Sequence, residues 1–234
     1  MTQALFVVDA SLAMFLRPED RGGPVWRECA RAATLKNAIE ALGVPHTEIG
    51  EVKVGGAPAT LQRVVREGDR IEVFPWHAQH PGDAPLFLAD AHLGGLARFL
   101  RMLGFDTAHR GDYRDADIRR AAREQRRVVL SRDRELLKCS DVLAGAYVRA
   151  LRPEAQLREV AERFGLAGRA RPFTLCLACN LPLERVDAAE VASTVPPAVL
   201  ERHSMFTRCR ACGRVFWPGT HYERMREALG RVLA

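Results

Sequence analysis

Apolar positions along this chain change their spacing near residue 80, and the two spacings predict different architectures. In the first eighty residues Ala4–Val8 is a β-rich run, and Ala13–Leu16 reads as its hairpin mate. A helical pattern follows at Leu35, Ala38, Ile39 and Leu42, with Thr34 placed to cap its start and Gly43 to stop it. Ile49–Val54 predicts a strand closed by Gly55-Gly56, and Gly68-Asp69 turns the chain into an alternating strand over Arg70–Phe74. The stretch His77–Pro85 is polar, carries Pro and Gly and has no periodicity, so it reads as a linker. From Leu86 onward strands and helices alternate. Leu86–Ala89 is a short apolar strand ending in Asp90, and a helix pattern runs from Leu93 to Leu103, stopped by Gly104. Asp106–His109 reads as a short strand and Asp115–Gln125 as a helix. Arg127–Leu130 reads as a buried strand that runs into Ser131-Arg132-Asp133. A short helix, the β-rich Asp141–Val148 and a helix over Pro153–Phe164 complete the series. Such alternation builds a mostly parallel sheet with helices on both faces.

Composition narrows the class. The chain has 234 residues, of which 47% are hydrophobic and 27% charged, enough for two compact domains with ordinary cores. No stretch approaches eighteen consecutive apolar residues, so no membrane span is expected. The start, MTQALFVVDA, shows no basic leader followed by an apolar run, and a cytoplasmic location is expected. Reduced cysteines in that compartment are metal ligands or buried thiols before they are disulfides. The net charge of +6 is unevenly spread: residues 1–80 hold 9 basic and 10 acidic side chains, residues 81–234 hold 26 and 19. Only Lys36, Lys53 and Lys138 are lysines. Arginine suits bidentate phosphate contacts, although a GC-rich genome accounts for arginine usage equally well. The placement of the charge points to a polyanionic partner for the later part of the chain.

Two groups of residues carry candidate chemistry. Cys176 and Cys179 form one CxxC pair and Cys209 and Cys212 another, with 29 residues from Asn180 to Arg208 between them and Gly213 after the second. Two such knuckles close a tetrahedral four-thiolate shell with no position left for water, so the expected ion is a structural Zn²⁺. Cys29 and Cys139 have no such partners and read as buried or free thiols. The second group is acidic. Asp90 and Asp133 each end a predicted strand, and Asp112, Asp115 and Asp117 gather at the start of the helix between them. Functional groups collect at strand carboxyl ends in parallel sheets. Several carboxylates brought together suit Mg²⁺ or Mn²⁺, which can hold a phosphodiester and activate water. An aspartate after a strand is as often the N-cap of the next helix, and Asp115 is well placed for that. Spacing alone does not choose among Asp112, Asp115 and Asp117, and Glu135 or Asp141 is available as a fourth acid. Arg98 and Arg101 lie one turn apart after Asp90, and Arg132 and Arg134 flank Asp133, as phosphate-positioning groups would. The ordinary alternative is a solvated helix face. His92 reads as a substrate contact or an ordinary packing residue. Phe216–Tyr222 combines aromatic, basic and turn residues, and His221 and Tyr222 are candidate contacts to an unpaired RNA base.

Strand, strand, helix, strand, strand over eighty residues is the β-grasp, or ubiquitin-like, arrangement. IEALGVPHTEIGEVKVGG with EGDRIEVFP resembles its sulfur-carrier branch, whose members end in a free Gly-Gly. Here the last strand runs into Phe74-Pro75-Trp76 and the chain continues, so docking to a protein partner is expected instead of carrier chemistry. The run from FLADAHLGG to VVLSRDRELL, with PFTLCLACNLPLERV and CRACGRVFWPGTHYERM after it, resembles the Mut-seven C-terminal RNase family, a branch of the PIN-like nucleases. That resemblance implies metal-dependent RNA cleavage, with Asp90, Asp115 and Asp133 matching the family's acids. The expected architecture is α/β. A small α+β β-grasp domain (1–78) precedes a PIN-like mostly parallel sheet with flanking helices (86–168), and a zinc ribbon follows (171–234). RNA, with tRNA or the ribosome among the candidates, is the expected partner. A non-catalytic RNA- or ribosome-binding protein with the same basic surface is the alternative.

Overall fold

The structure, a computed structural model, describes residues 1–77 and 84–233; most of the linker expected over His77–Pro85 lies outside them. In chain order the first elements are β1 (Thr2–Val8), β2 (Val25–Cys29), α1 (Leu35–Leu42), β3 (Ile49–Val54), β4 (Ala57–Ala59) and β5 (Arg70–Pro75). They are followed by β6 (Phe87–Ala89), α2 (Gly94–Met102), β7 (Thr107–Ala108), α3 (Asp115–Gln125), β8 (Val128–Ser131), α4 (Arg134–Lys138), β9 (Gly145–Tyr147) and α5 (Pro153–Phe164). The last are β10 (Glu184–Val186), α6 (Ala188–Val191), α7 (Pro197–Arg202), β11 (Phe206–Arg208), β12 (Val215–Phe216) and α8 (Thr220–Leu233). The chain divides into two compact units, Met1–His80 with Arg114–Tyr147, and Pro81–Tyr113 with Val148–Ala234. No helix is long and apolar enough to cross a membrane among the described residues.

The first unit carries a five-stranded mixed sheet in the order β2-β1-β5-β3-β4. The last strand, β5, lies parallel to β1 at the centre, and the other pairs are antiparallel, which is the β-grasp topology. Helix α1 crosses one face because Leu35, Ala38, Ile39 and Leu42 recur at helical spacing and all are buried. Thr34 accepts from the Asn37 N–H at its start. Gly43 ends it at φ 114, where a Cβ would lie 2.3 Å from the Phe15 carbonyl oxygen, so only glycine fits. Phe6, Leu35, Ile39 and Ile71 form the sealed centre of this core, each contributing about 1.5–3 kcal/mol by burial.

The hairpin mate of β1 is β2, not the expected Ala13–Leu16. Ala10–Phe15 is instead a 3-10 helix, started where Asp9 accepts from the Ser11 N–H and held by the buried pair Leu12 and Phe15, three residues apart. This turn also helps to bind the later segment of the unit. The Arg134 guanidinium donates to the Met14 carbonyl oxygen at 3.0 Å and lies 5.1 Å from the Phe15 ring centre and 5.5 Å from that of Tyr147. His46 bridges the Glu40 carboxylate and the Val142 carbonyl oxygen, and Lys36 pairs with Glu40. Burial opposes the charge of Glu40, but the hydrogen bonds from His46 and Lys36 outweigh it and hold the carboxyl below the usual range. Glu48, 2% exposed, accepts from the Tyr147 N–H at 2.7 Å. Glu48→Ala should therefore leave that partly buried N–H unsatisfied and lower stability by about 1–3 kcal/mol. Glu48→Gln, which keeps a carbonyl acceptor, should lose less. Urea denaturation midpoints test this, and equal midpoints for wild type and Glu48→Ala would refute it.

Strands β8 and β9 pair in parallel within the first unit, and β6 and β7 pair in parallel within the second. All three residues of β6 are buried, the continuous apolar run that parallel strands show. In the second unit Phe87 stands edge-on to Phe105 and Phe164. Helices α2 and α5 approach closely because Gly95 has no side chain; a Cβ there would meet Pro153 at 2.6 Å. Strands β10, β11 and β12 form a separate antiparallel sheet over a small core of Val186, Val191, Val195 and Phe206.

Candidate functional site

The four cysteines converge. The Sγ atoms of Cys176, Cys179, Cys209 and Cys212 all lie within 4.8 Å of one another, and those of Cys176 and Cys212 are 3.8 Å apart. Zn–S bonds of about 2.3 Å in a tetrahedron require sulfurs roughly 3.8 Å apart, so the set fits one zinc ion. Each knuckle closes the same way. The Asn180 N–H donates to the Cys176 carbonyl oxygen and the Gly213 N–H to that of Cys209, and both residues are left-handed, at φ 59 and 69. Gly213 was readable from sequence. Asn180, its counterpart, was not, although asparagine is the side chain that best tolerates this region. The knuckle also sets the thiols apart electrically. Backbone N–H groups, that of Cys212 foremost, lower the Cys209 pKa to about 7, while sharing a proton with Cys212 pushes Cys179 up to about 12.

The first knuckle rests on α2 and β7. Arg101 is 7% exposed, and its guanidinium donates to the carbonyl oxygens of Thr107, Leu177 and Ala178 at 2.9, 2.9 and 3.1 Å. Asn180 accepts from the Thr107 N–H and donates to the Asp106 carboxylate. The expectation that Arg101 faces phosphate is thus corrected: its Nε and Nη1 donors are turned to carbonyls inside the protein. Burial pulls its guanidinium below the usual value, against the opposing charge of Asp106, Cys176 and Cys179.

The candidate acids lie at helix starts. Asp90 follows β6 directly, and its carboxylate accepts from the Ala91 N–H at 2.6 Å. Asp133 lies two residues past β8 and accepts from the N–H groups of Glu135 and Leu136, capping α4. The cap of α3 is Arg114, with no side-chain bond, and Asp115 is the first helical residue. Asp112 is held bidentately by Arg110, Asp117 pairs with Arg120, Asp141 with Arg119 and Glu135 with Lys138. Asp115 makes no ion pair or hydrogen bond through its carboxylate among the described residues. In the first unit Asp141, Asp115 and Asp133 all act on the Cys139 thiol, which burial chiefly and these charges in addition push upward. Among the described residues the carboxylates nowhere gather as tightly as the four sulfurs do. Arg98, Arg132, His92 and His221 are exposed, whereas Arg134 is packed on Phe15 and Tyr147. Tyr222 is half-buried against Phe173. Cys29 is buried and Cys139 partly so, both as free thiols.

Two crystal structures of small archaeal modifier protein 1 from Haloferax volcanii are similar to part of the chain, each at 22% identity. They cover 32% and 33% of this chain and 98% and 99% of that one, with TM-scores of 0.27 and 0.26. No curated protein matches the chain. The family model described as Mut7-C ubiquitin matches residues 1–80, and the one described as Mut7-C RNAse domain matches residues 85–229, well over half the chain. The protein belongs to the Mut7-C RNAse domain family and carries that family's ubiquitin-like module at its amino-terminal end.

Proposed function

We propose that this protein is a ribonuclease that hydrolyses RNA phosphodiester bonds with the help of Mg²⁺ or Mn²⁺. In this scheme residues 1–78 form the docking module, 86–168 a PIN-like nuclease domain and 171–234 a zinc ribbon. One observation carries the reading beyond family membership: an aspartate sits at the carboxyl end of each of two strands from parallel pairs, Asp90 after β6 and Asp133 after β8. Both carboxylates are oriented by backbone N–H groups, which fixes one oxygen and sets the direction of the other. Asp115 is the best third ligand, because Asp112 and Asp117 are already committed to arginines. A bound Mg²⁺ or Mn²⁺ would supply a water of lowered pKa and a positive charge for the departing oxygen. The chain's own part is to hold that ion with Asp90, Asp115 and Asp133 and the phosphate backbone with the exposed Arg98 and Arg132. Arg101 and Arg134 support the architecture, and the ribbon extends the RNA-binding surface.

Labelled single-stranded RNA incubated with the protein, with Mn²⁺ added or withheld, tests this. Cleavage should require the added ion and fall by at least roughly 100-fold in Asp90→Asn and in Asp133→Asn, since even outer-sphere partners of a metal are worth 10- to 100-fold. Asparagine keeps the helix caps, so the folds should persist. Tight RNA binding with no cleavage under either ion would replace the enzyme with a non-catalytic RNA-binding protein.

A further inference from the structure

We propose that the cavity beside the β10-β11-β12 sheet is a subsite for one unpaired RNA base, with Tyr222 and Phe173 as its stacking platform and Arg185 as its phosphate contact. This rests on the RNA-binding half of the function proposed above. The cavity measures about 540 Å³, within the range of small-ligand sites. Its walls are apolar, with the rings of Phe173, Phe216, Trp217 and Tyr222 set among aliphatic side chains such as Leu183 and Met225, and its polar groups include Arg185 and His221. The four aromatic side chains are only half-buried, so part of their surface stays open to a ligand.

The platform is built under strain. Phe173 has φ 62, a region that a bulky side chain seldom enters. It is held there by the end of α2. The Arg171 N–H donates to the Leu103 carbonyl oxygen and the Phe173 N–H to that of Met102, each at 2.9 Å. Gly104, at φ 88, admits the Arg171 carbonyl so closely that a Cβ would lie 2.2 Å from its oxygen. The result is a Phe173 ring 4.3 Å from that of Tyr222, tilted by 45°. Gly219, also in the lining, lies against Trp217, where a Cβ would meet the indole Nε1 at 2.9 Å. A strained residue kept at a cavity wall is a recurrent mark of a ligand site.

Charge chooses the occupant. Arg208, Arg210 and Arg226 are paired with Glu190, Glu184 and Glu223. Arg185 lines the cavity and makes no ion pair among the described residues. Four aromatic rings beside one uncommitted guanidinium suit a flat π-system joined to a phosphate. A base within a duplex is stacked and cannot enter, so the subsite would select single strands.

Fluorescence anisotropy of the full-length, zinc-loaded protein tests this without Mg²⁺ or Mn²⁺, using a single-stranded RNA oligomer and a blunt RNA duplex. Tyr222→Ala should weaken single-strand binding by roughly 5- to 100-fold, the worth of one stacked base, and leave duplex binding unchanged. Tyr222→Phe should bind as wild type does. Single-strand affinity unaltered in Tyr222→Ala would remove the subsite and leave the ribonuclease reading standing. Equal losses on single strand and duplex would mark Tyr222 as merely structural, and an apolar peptide that bound wild type but not the variant would assign the cavity to a protein. No RNA binding by wild type at all would sink both proposals.

Discussion

Cys209→Ser is expected to release the zinc ion and unfold the chain beyond about residue 171, while the two parallel strand pairs survive. The cause is the small core of that segment. Val186, Val191, Val195 and Phe206 are its buried side chains around the sheet, and units this small usually depend on a metal or a disulfide. Structural zinc sites of this kind supply roughly 10–16 kcal/mol of apparent binding energy near neutral pH, all of it available to folding. Serine cannot replace the thiolate, and it leaves three sulfurs within 4.8 Å of one another around an incomplete shell. A chromophoric chelator should detect one zinc per wild-type chain on thiol oxidation and none in the variant. Limited proteolysis should then cut the variant first between residues 180 and 230. A wild-type protein that yields no zinc, or a variant as protease-resistant as wild type, would overturn this account.

The second large effect is expected at Arg101. Arg101→Met keeps the bulk of the side chain but removes donors to three carbonyl oxygens, of which Leu177 and Ala178 belong to the first cysteine knuckle. Hydrogen bonds from a charged donor contribute about 1.5–3 kcal/mol each, so a loss of at least about 3 kcal/mol is expected. Zinc affinity should also drop by 10- to 100-fold, as it does when outer-sphere partners are removed. Arg101→Lys should recover only part of both, because an ammonium cannot span three acceptors arranged for a planar fork. Urea midpoints and competition with a zinc chelator measure the two effects. A midpoint shift without any change in zinc affinity would show that α2 and the knuckle are mechanically independent, contrary to this expectation.

The acids divide along the same line between local and tertiary causes. Asp112, Asp115 and Asp117 were equivalent by spacing, and they are separated by which arginine lies within reach. Arg110 takes Asp112 and Arg120 takes Asp117, leaving Asp115 without an ion pair among the described residues. Exposed pairs like these are weak, so they set which carboxylate is uncommitted without locking the others away.

What the amino-acid order determined alone is what depends on neighbours within a turn or two. Helices α3 and α5 occupy the predicted residues, α1 starts and stops at Thr34 and Gly43, and the paired CxxC motifs identified the four sulfurs that converge. The helix bounds and the form of each knuckle follow from short-range geometry: helical spacing, a capping side chain, a left-handed residue. The strand proposed over Ala13–Leu16 failed at the same range, because a capped 3-10 turn buried Leu12 and Phe15 at once. Tertiary structure alone decided the fate of the arginines. Arg98 and Arg101 look alike one turn apart, but carbonyls from 76 and 77 positions away close over Arg101 and leave Arg98 in water. It also decided that Arg114–Tyr147 joins the β-grasp sheet in one compact unit, through Arg134, His46 and Glu48. Those partners lie 96 to 120 residues apart in the chain, and no periodicity encodes a contact between side chains that meet only after both segments have folded.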